Sequence, residues 1–247
     1  MISVICVYND TCQMERYLMR GLRRQDVAYE LIVIDNTSGV HSCAASVLGC
    51  AARRAKGDFL MFVHQDVELL SAEWLRDAEL LVRSLPDFGV AGVAGMDREG
   101  KLSASVWYGD PPVRIGTGTP SVSRVMQTLD GCLALTPSGV FRKAGFDGRV
   151  CRGWYLFVAE YALALAAKGL KAYVLPFDVY HRSTGPTDRS VYTATVDALL
   201  RKHRSRHDVI YTTVGEWPTG RKCPGSSCRS FMRTAKRLLR LKRSPEN

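Results

Sequence analysis

Long apolar runs are missing from this chain of 247 residues. No stretch approaches the roughly 20 apolar residues that a membrane-spanning helix needs, so the sequence argues against an integral membrane protein. The apolar run at the start lacks the basic segment of a signal peptide and is interrupted by Tyr8-Asn9-Asp10. The eight cysteines are therefore expected to be free thiols in a reducing cytosol.

Two ligand motifs are also incomplete. Cys223 and Cys228 have no second pair at the spacing of a zinc site, which argues against structural zinc. The segment 116–121 is rich in glycine and threonine but lacks the Lys-Ser/Thr ending of a phosphate-binding loop, so it predicts a plain loop. What remains is an ordinary globular composition, with 46% hydrophobic and 23% charged residues. The chain is long enough for one large α/β domain or two small ones.

Acidic residues are scarce at the end of the chain. Residues 221–247 hold nine Lys or Arg against one Glu, which gives this tail +8 of the total net charge of +10. Phe231, Leu238 and Leu241 would share one face of a helix, a pattern typical of helices on anionic membrane surfaces. A solvated, unfolded tail is the alternative. Few aromatic residues interleave with the bases, so no nucleic acid partner is expected, and RNA binding through the tail is the weakest hypothesis.

The first ninety or so residues alternate between strand and helix patterns. The continuous apolar runs predict buried strands at 2–7, 31–34, 59–63 and 89–93, and helices are predicted at 15–23, 41–54 and 71–83, the last with Ser71 as its N-cap. This alternation predicts an α/β fold with a mostly parallel sheet covered by helices on both faces. The second half predicts strands at 101–108 and 171–175, a loop at 110–123, and helices at 155–168, ending before Gly169, and at 191–202.

Polar residues follow three of the predicted strands. They are Tyr8-Asn9-Asp10, Asp35-Asn36 and His64-Gln65-Asp66-Val67-Glu68. In an open parallel sheet, ligands bind beyond the carboxyl ends of the strands, so these groups are expected to meet at one edge. The alternative for each one alone is a turn or cap residue, since Asp and Asn favour such positions.

The order and spacing of these segments resemble family 2 glycosyltransferases. The similarity is nearest to a subgroup that carries His-Gln-Asp-Val at the metal motif and includes a streptomycin-biosynthesis protein. It covers roughly residues 2 to 200, and no single motif decides it. The segments that carry it are Ser3–Asn9, Glu30–Asp35, Ala55–Asp66, Leu129-Asp-Gly131, Gly145-Phe-Asp147, the helix around Glu160, and Val179–Gly185.

The resemblance implies a GT-A, Rossmann-like fold over residues 1–213, with a nucleotide-binding half at 1–97, an acceptor half at 98–213, and a basic tail at 214–247. It implies a metal-dependent, inverting, hexosyltransferase-like enzyme. Such an enzyme moves a sugar from a UDP-, GDP- or dTDP-linked donor to the hydroxyl of a glycan or lipid-linked acceptor. We expect it in the cytoplasm or at the cytoplasmic face of a membrane.

The resemblance also assigns roles by position. Tyr8, Asn9, Asp35, His64 and Gln65 would bind the nucleotide. Asp66 would bind Mn²⁺ or Mg²⁺, because a hard cation prefers carboxylate oxygen and neutralises a diphosphate leaving group. His181, expected just past a strand, would complete the metal site, since imidazole suits Mn²⁺. The alternative for His181 is a surface or satisfied histidine.

The sequence departs from the family pattern in three places. His64 replaces the first acid of the Asp-x-Asp motif, Gly49 replaces a usual asparagine, and Phe157-Val158 replaces the acidic pair that supplies the catalytic base. The nearest acid is Glu160, which we predict as the base. The alternatives are a base elsewhere in the chain, a nucleotide-sugar-binding protein without catalysis, or a Glu160 that is merely an exposed helix residue.

Overall fold

The computed structural model describes residues 1–116, 120–182 and 188–220. Its strands are β1 (Ile2–Tyr8), β2 (Glu30–Asp35), β3 (Phe59–Val63), β4 (Val67–Leu69), β5 (Phe88–Gly92), β6 (Ala94–Met96), β7 (Leu102–Ala104), β8 (Val106–Tyr108), β9 (Val113–Arg114), β10 (Arg124–Met126), β11 (Thr128–Leu129), β12 (Leu133–Pro137), β13 (Lys171–Val174), β14 (Val179–His181), β15 (Val209–Thr212) and β16 (Gly215–Pro218). Its helices are α1 (Thr11–Met14), a π-helical turn (Glu15–Met19), α2 (Arg20–Leu22), α3 (Ala44–Ala52), α4 (Trp74–Ser84), α5 (Ser138–Ala144), α6 (Phe157–Ala166) and α7 (Arg189–His203).

The main sheet has seven strands in the order β10-β13-β5-β12-β3-β1-β2. β1 is parallel to both β2 and β3, and β13 is parallel to β5. β12 lies between β3 and β5 and is antiparallel to both, while β10 is antiparallel to β13 at the edge. The prediction of a mostly parallel sheet is therefore confirmed, with two reversed strands that the sequence did not predict.

The core lies on both faces of this sheet. Along β3 the residues alternate: Met61 and Val63 pack into one apolar cluster with α4, whereas Leu60 and Phe62 pack into a second cluster with α3 and α6. Successive strand residues point to opposite faces, so the two clusters are on opposite sides. The predicted helical cover of both faces is confirmed.

A four-stranded sheet with the order β4-β14-β8-β9 stands beside the main sheet. β14 is antiparallel to β4, which places His181 opposite Val67, and parallel to β8, which places His181 opposite Tyr108. Through this small sheet, β14 is held next to the segment that follows β3, although the two are far apart in the sequence.

The start of α4 differs from the prediction. Ser71 was predicted as the N-cap, but the helix begins at Trp74 and Glu73 occupies the cap position without a side-chain hydrogen bond. The Gln25 side chain takes over this role, because its Oε1 accepts from the backbone N–H of Leu75 at 2.9 Å. Its Nε2 donates to the carbonyl of Ser71 at 2.8 Å, which holds that residue outside the helix. Because Gln25 is distant in the sequence, the residues around the start of α4 do not reveal this cap.

Other boundaries differ by smaller amounts. The strand predicted at 101–108 is two strands, β7 and β8, because Ser105 turns to bond the carbonyls of Val93 and Leu175 at 2.7 Å each. α6 ends at Ala166, and Gly169, predicted to follow the helix, has a positive φ of 81°. The β15–β16 hairpin was not predicted, and β16 extends beyond the domain boundary predicted at 213.

Among the described residues, none of the helices combines the length and the apolar character needed to cross a bilayer. The predicted amphipathic tail at 221–247, with Cys223 and Cys228, lies outside the described residues.

Candidate functional site

Three polar strand ends meet at one edge of the main sheet, as the sequence predicted. The parallel register of β1 and β2 sets Tyr8 beside Asp35. The segment after β3 is tied to the end of β1 through the amide of Gln65. Its Oε1 accepts from the backbone N–H groups of Asn9 at 2.8 Å and Asp10 at 3.0 Å, and its Nε2 donates to Oδ1 of Asn9 at 2.7 Å. Gln65, predicted to bind nucleotide, thus acts as a bridge between two strand ends.

Asp10 is a helix cap. Its Oδ1 accepts from the backbone N–H of Gln13 at 3.0 Å, at the start of α1, and hydrogen bonds from Gln13 hold the pKa of this carboxyl below its ordinary value. The turn-or-cap alternative is therefore correct for Asp10.

Asp35 is an exposed, ionised acceptor at the edge. Its Oδ1 accepts from the backbone N–H and the hydroxyl of Thr37 at 2.8 and 2.7 Å, and these bonds lower its pKa. Partial burial and a hydrogen bond to Asp35 raise the pKa of Tyr8, which keeps its ring hydroxyl protonated. The pair can accept and donate hydrogen bonds at the mouth of the site, as a nucleoside base or ribose requires.

His64, Asp66 and His181 form a group in which the candidate ligand atoms all lie within 4.8 Å of one another. His64 and Asp66 come from the segment after β3, and His181 is the last residue of β14, held there by the pairing with β4. Asp66 is 3% exposed and His181 is 8% exposed. These three predicted residues are therefore brought together by two separate sheets.

The chemistry of this group fits a divalent cation. The Nε2 atom of His181 is buried, has no hydrogen-bond partner among the described residues, and lies 3.5 Å from Oδ1 of Asp66. A buried polar atom without a partner is costly, and a bound cation would satisfy it. Burial, followed by the proximity of His181, lowers the pKa of His64 and favours the neutral imidazole that a metal requires.

Two residues without a predicted role also belong to this site. Burial opposes ionisation of Asp130, but the proximity of His181 and a hydrogen bond from Thr213 at 2.7 Å keep the pKa of Asp130 below its ordinary value. The Tyr108 ring meets the His181 ring edge-on, with centroids 5.7 Å apart. Burial, with the nearby Asp130 and Asp66, raises the pKa of Tyr108 to about 12. Asp130 lies in the Leu129-Asp-Gly131 motif, whereas Tyr108 had no sequence signal because β8–β14 pairing positions it.

Glu68, two residues after Asp66 and within β4, has a structural role. Its carboxylate is buried and forms ion pairs with Arg20 and Arg24, the latter at 3.0 Å. These contacts attach the first helical segment to β4.

Glu160, the predicted catalytic base, lies in different surroundings. It is 1% exposed, so the alternative of an exposed helix residue is wrong. Its Oε1 accepts from Nζ of Lys202 at 2.6 Å and lies 3.2 Å from Nε2 of His203, both in α7. It lines a groove whose lining residues include none of His64, Asp66 and His181. The carboxylate is thus held by two α7 side chains, and its contacts favour a structural role.

The start of α6 does border the site. A Cβ at Gly131, beside Asp130, would lie 3.5 Å from the Phe157 ring. The next residue, Val158, is completely buried in the core. The position at which the resemblance expects a base is therefore apolar, and Glu160 stands on the part of the helix that faces α7.

No protein-family model matches the chain, and no curated protein matches it significantly. Solved structures do match. The mannosyltransferase PcManGT from Pyrobaculum calidifontis, in complex with GDP-Man and Mn²⁺, has a TM-score of 0.55 and 16% identity over 83% of this chain and 63% of its own. S. aureus TarS in complex with UDP-GlcNAc has a TM-score of 0.56 and 15% identity over 84% of this chain and 67% of its own. GalNAc-T7 with UDP, GalNAc and Mn²⁺ has a TM-score of 0.60 and 11% identity over 83% and 47%.

These structural neighbours share the GT-A fold, so the predicted fold class is confirmed. The chain spans less than two thirds of the mannosyltransferase and about half of GalNAc-T7. At such identities the likeness concerns the fold, and the function has to be argued from the site.

Proposed function

We propose that this chain is a metal-dependent glycosyltransferase that moves a sugar from a nucleotide-sugar donor to a hydroxyl acceptor. The observation that carries the proposal is the grouping of His64, Asp66 and His181 at the strand edge that also holds Tyr8 and Asp35. In an open α/β sheet this edge is where ligands bind. The neighbours with the same fold include complexes with GDP-Man, UDP-GlcNAc and UDP, which supports a nucleoside diphosphate sugar as the donor class.

His64, Asp66 and His181 would hold the cation. Two imidazoles and one carboxylate suit Mn²⁺ better than Mg²⁺, because Mg²⁺ prefers a shell of oxygen ligands. A bound cation would neutralise the charge that develops on the diphosphate leaving group. Tyr8 and Asp35, with Asn9 beside them, would orient the nucleoside, and Gln65 would keep these residues at a fixed position relative to Asp66.

The finer features of the proposal rest on the resemblance. They are membership of the His-Gln-Asp-Val subgroup, inversion at the anomeric carbon, transfer of a hexose, a glycan or lipid-linked acceptor, and a cytoplasmic setting with the tail on an anionic membrane. The tail, residues 221–247, lies outside the described residues.

A second candidate function is nucleotide-sugar binding without transfer. It is favoured by Val158, which is buried and apolar at the expected base position, and by Glu160, whose carboxylate is held by Lys202 and His203. Without a positioned base, an acceptor hydroxyl loses typically 100- to 10,000-fold in rate.

One experiment tests both functions. UDP-, GDP- and dTDP-linked sugars are titrated by calorimetry with Mn²⁺, with Mg²⁺ and with a chelator, and release of the nucleoside diphosphate is followed with a panel of acceptors. We expect tight binding of one donor class with Mn²⁺ and much weaker, but measurable, binding in the chelator. No binding to any donor would refute the site. Binding without release for every acceptor would support the second function.

A further inference from the structure

A groove of about 880 Å³ lies on the side of the molecule that carries α3 and α6. It is formed by the start of α3, the segment after α5, one side of α6, and the end of α7. Its volume is within the range of small-ligand sites, roughly 300–1,000 Å³. Tyr8, Asp35, Asp66 and His181 do not line it.

The groove is strongly basic. Its lining contains five Lys or Arg side chains and two carboxylates: Arg149, Arg152, Lys168, Lys202 and Arg206, with Asp147 and Glu160. This excess of three positive charges exceeds the net charge of about +2 that residues 1–220 carry as a whole. The groove is therefore more positive than residues 1–220 taken as a whole.

Both carboxylates in the groove are already neutralised. Lys202 Nζ contacts Oδ2 of Asp147 at 2.8 Å and Oε1 of Glu160 at 2.6 Å. Arg149 lies 3.6 Å from Asp147. Among the described residues, no ion pair joins Arg152, Lys168 or Arg206 to an acid, and all three are exposed. Three cations thus face one concave surface without counter-charges.

A second group of charged residues adjoins the groove. A second, smaller cavity of about 380 Å³ shares Ala167 and Arg206 with it and adds Arg98 and His207. Burial, followed by the charges around it, which include those of Arg98 and Arg206, lowers the pKa of His207. Arg206 therefore lines both cavities, and the smaller one adds Arg98 together with one acid, Asp208.

We propose that this groove is a second, metal-independent site for a small anion that carries a phosphate or diphosphate group. Arg152 and Arg206 would provide planar N–H pairs for phosphate oxygens, and Lys168 would provide a third positive charge. Lys202, fixed between Asp147 and Glu160, would form the floor. A nucleotide and a sugar phosphate both offer this chemistry.

The test compares two double variants of the full chain. Arg152→Gln with Arg206→Gln removes the two groove arginines. Arg142→Gln with Arg204→Gln removes the same charge from two exposed neighbours that do not line the groove. Binding of inorganic pyrophosphate is measured by calorimetry in the presence of a chelator, so that the metal-linked donor site does not contribute. The basic tail is present in every protein, so its contribution cancels in the comparison.

We expect saturable binding by the natural chain, a loss of about tenfold or more in the groove variant, and less than about twofold in the control. Adding Asp66→Ala should leave pyrophosphate affinity unchanged, which separates this site from the donor site. Equal losses in both variants, or unsaturable binding, would show diffuse charge attraction and overturn the proposal. Competition by uridine monophosphate and by glucose 1-phosphate distinguishes a nucleotide from a sugar phosphate.

Discussion

Two buried carboxylates, Asp66 and Glu160, mark two regions with opposite electrostatics. Asp66 lies beside an imidazole whose Nε2 has no hydrogen-bond partner in the described part of the chain. Glu160 is contacted by Lys202 and His203. Around Asp66 the arrangement can accept a cation, whereas around Glu160 the acids are neutralised and unpaired cations remain. The two acids therefore differ in the chemistry of their neighbours: His181 beside Asp66 can share a bound cation, whereas Lys202 beside Glu160 is itself a cation.

The largest expected effect concerns Asp66. Asp66→Ala should abolish the Mn²⁺-dependent part of nucleoside diphosphate binding, because the only carboxylate of the three-residue group is lost. Thermal unfolding should change little by comparison. Calorimetry with and without Mn²⁺ measures the effect, and Asp77→Asn on the exposed side of α4 is the control. Unchanged Mn²⁺ dependence in Asp66→Ala would contradict the role of Asp66 as a metal ligand.

The next effect concerns Asp35. Asp35→Ala should weaken nucleotide binding both with and without metal, because Asp35 is predicted to contact the nucleoside. A charge-assisted hydrogen bond is worth about 1.5–3 kcal/mol, so the loss should be roughly ten- to hundredfold. Thr37→Ala, which removes one hydrogen bond to Asp35, should have a smaller effect. A loss that appears only when metal is present would contradict this role.

Glu160→Gln tests the other region. If the carboxylate is structural, the substitution leaves Lys202 and the buried His203 with a weaker partner, and the free energy of unfolding should fall by roughly 1–3 kcal/mol. Nucleotide affinity of the folded protein should not change. Chemical denaturation and calorimetry give the two values. A stable variant whose transfer rate drops by about 100-fold or more would instead identify Glu160 as the base.

The smallest effect concerns Tyr108, whose ring packs against His181. Tyr108→Phe keeps the ring, so Mn²⁺ affinity should change by less than about threefold. Tyr108→Ala removes the support of a ligand and should cost about tenfold, as losses of supporting groups around metal ligands commonly do. Equal losses in both variants would show that the hydroxyl, and not the ring, matters.

The parts of the fold that are encoded locally could be predicted from the sequence. β1 and β3 are continuous apolar runs, and the polar residues after them mark the edge where they meet. The parts that depend on distant pairing could not be predicted. Gln25 caps α4 from another segment, and β8 brings Tyr108 to His181.

In the candidate site, too, some residues could be predicted from the sequence and others depended on distant contacts. Asp66 and His181 were identified by motif order, and their contact was then provided by the β4–β14 pairing. The surroundings of Glu160 depend on α7, about forty residues further along the chain, which contributes Lys202 and His203. A motif position gave no information about that partner, so the role of Glu160 could be judged only from the folded structure.

The Gln65 side chain has a thermodynamic consequence. Its amide spans the end of β1 and the segment that carries Asp66, with three hydrogen bonds between 2.7 and 3.0 Å. A ligand that shifts one of these segments must shift the other or break those bonds. Occupancy of the cation position and occupancy of the nucleoside position are therefore expected to be linked. Such linkage is reciprocal: each ligand changes the affinity for the other by the same factor.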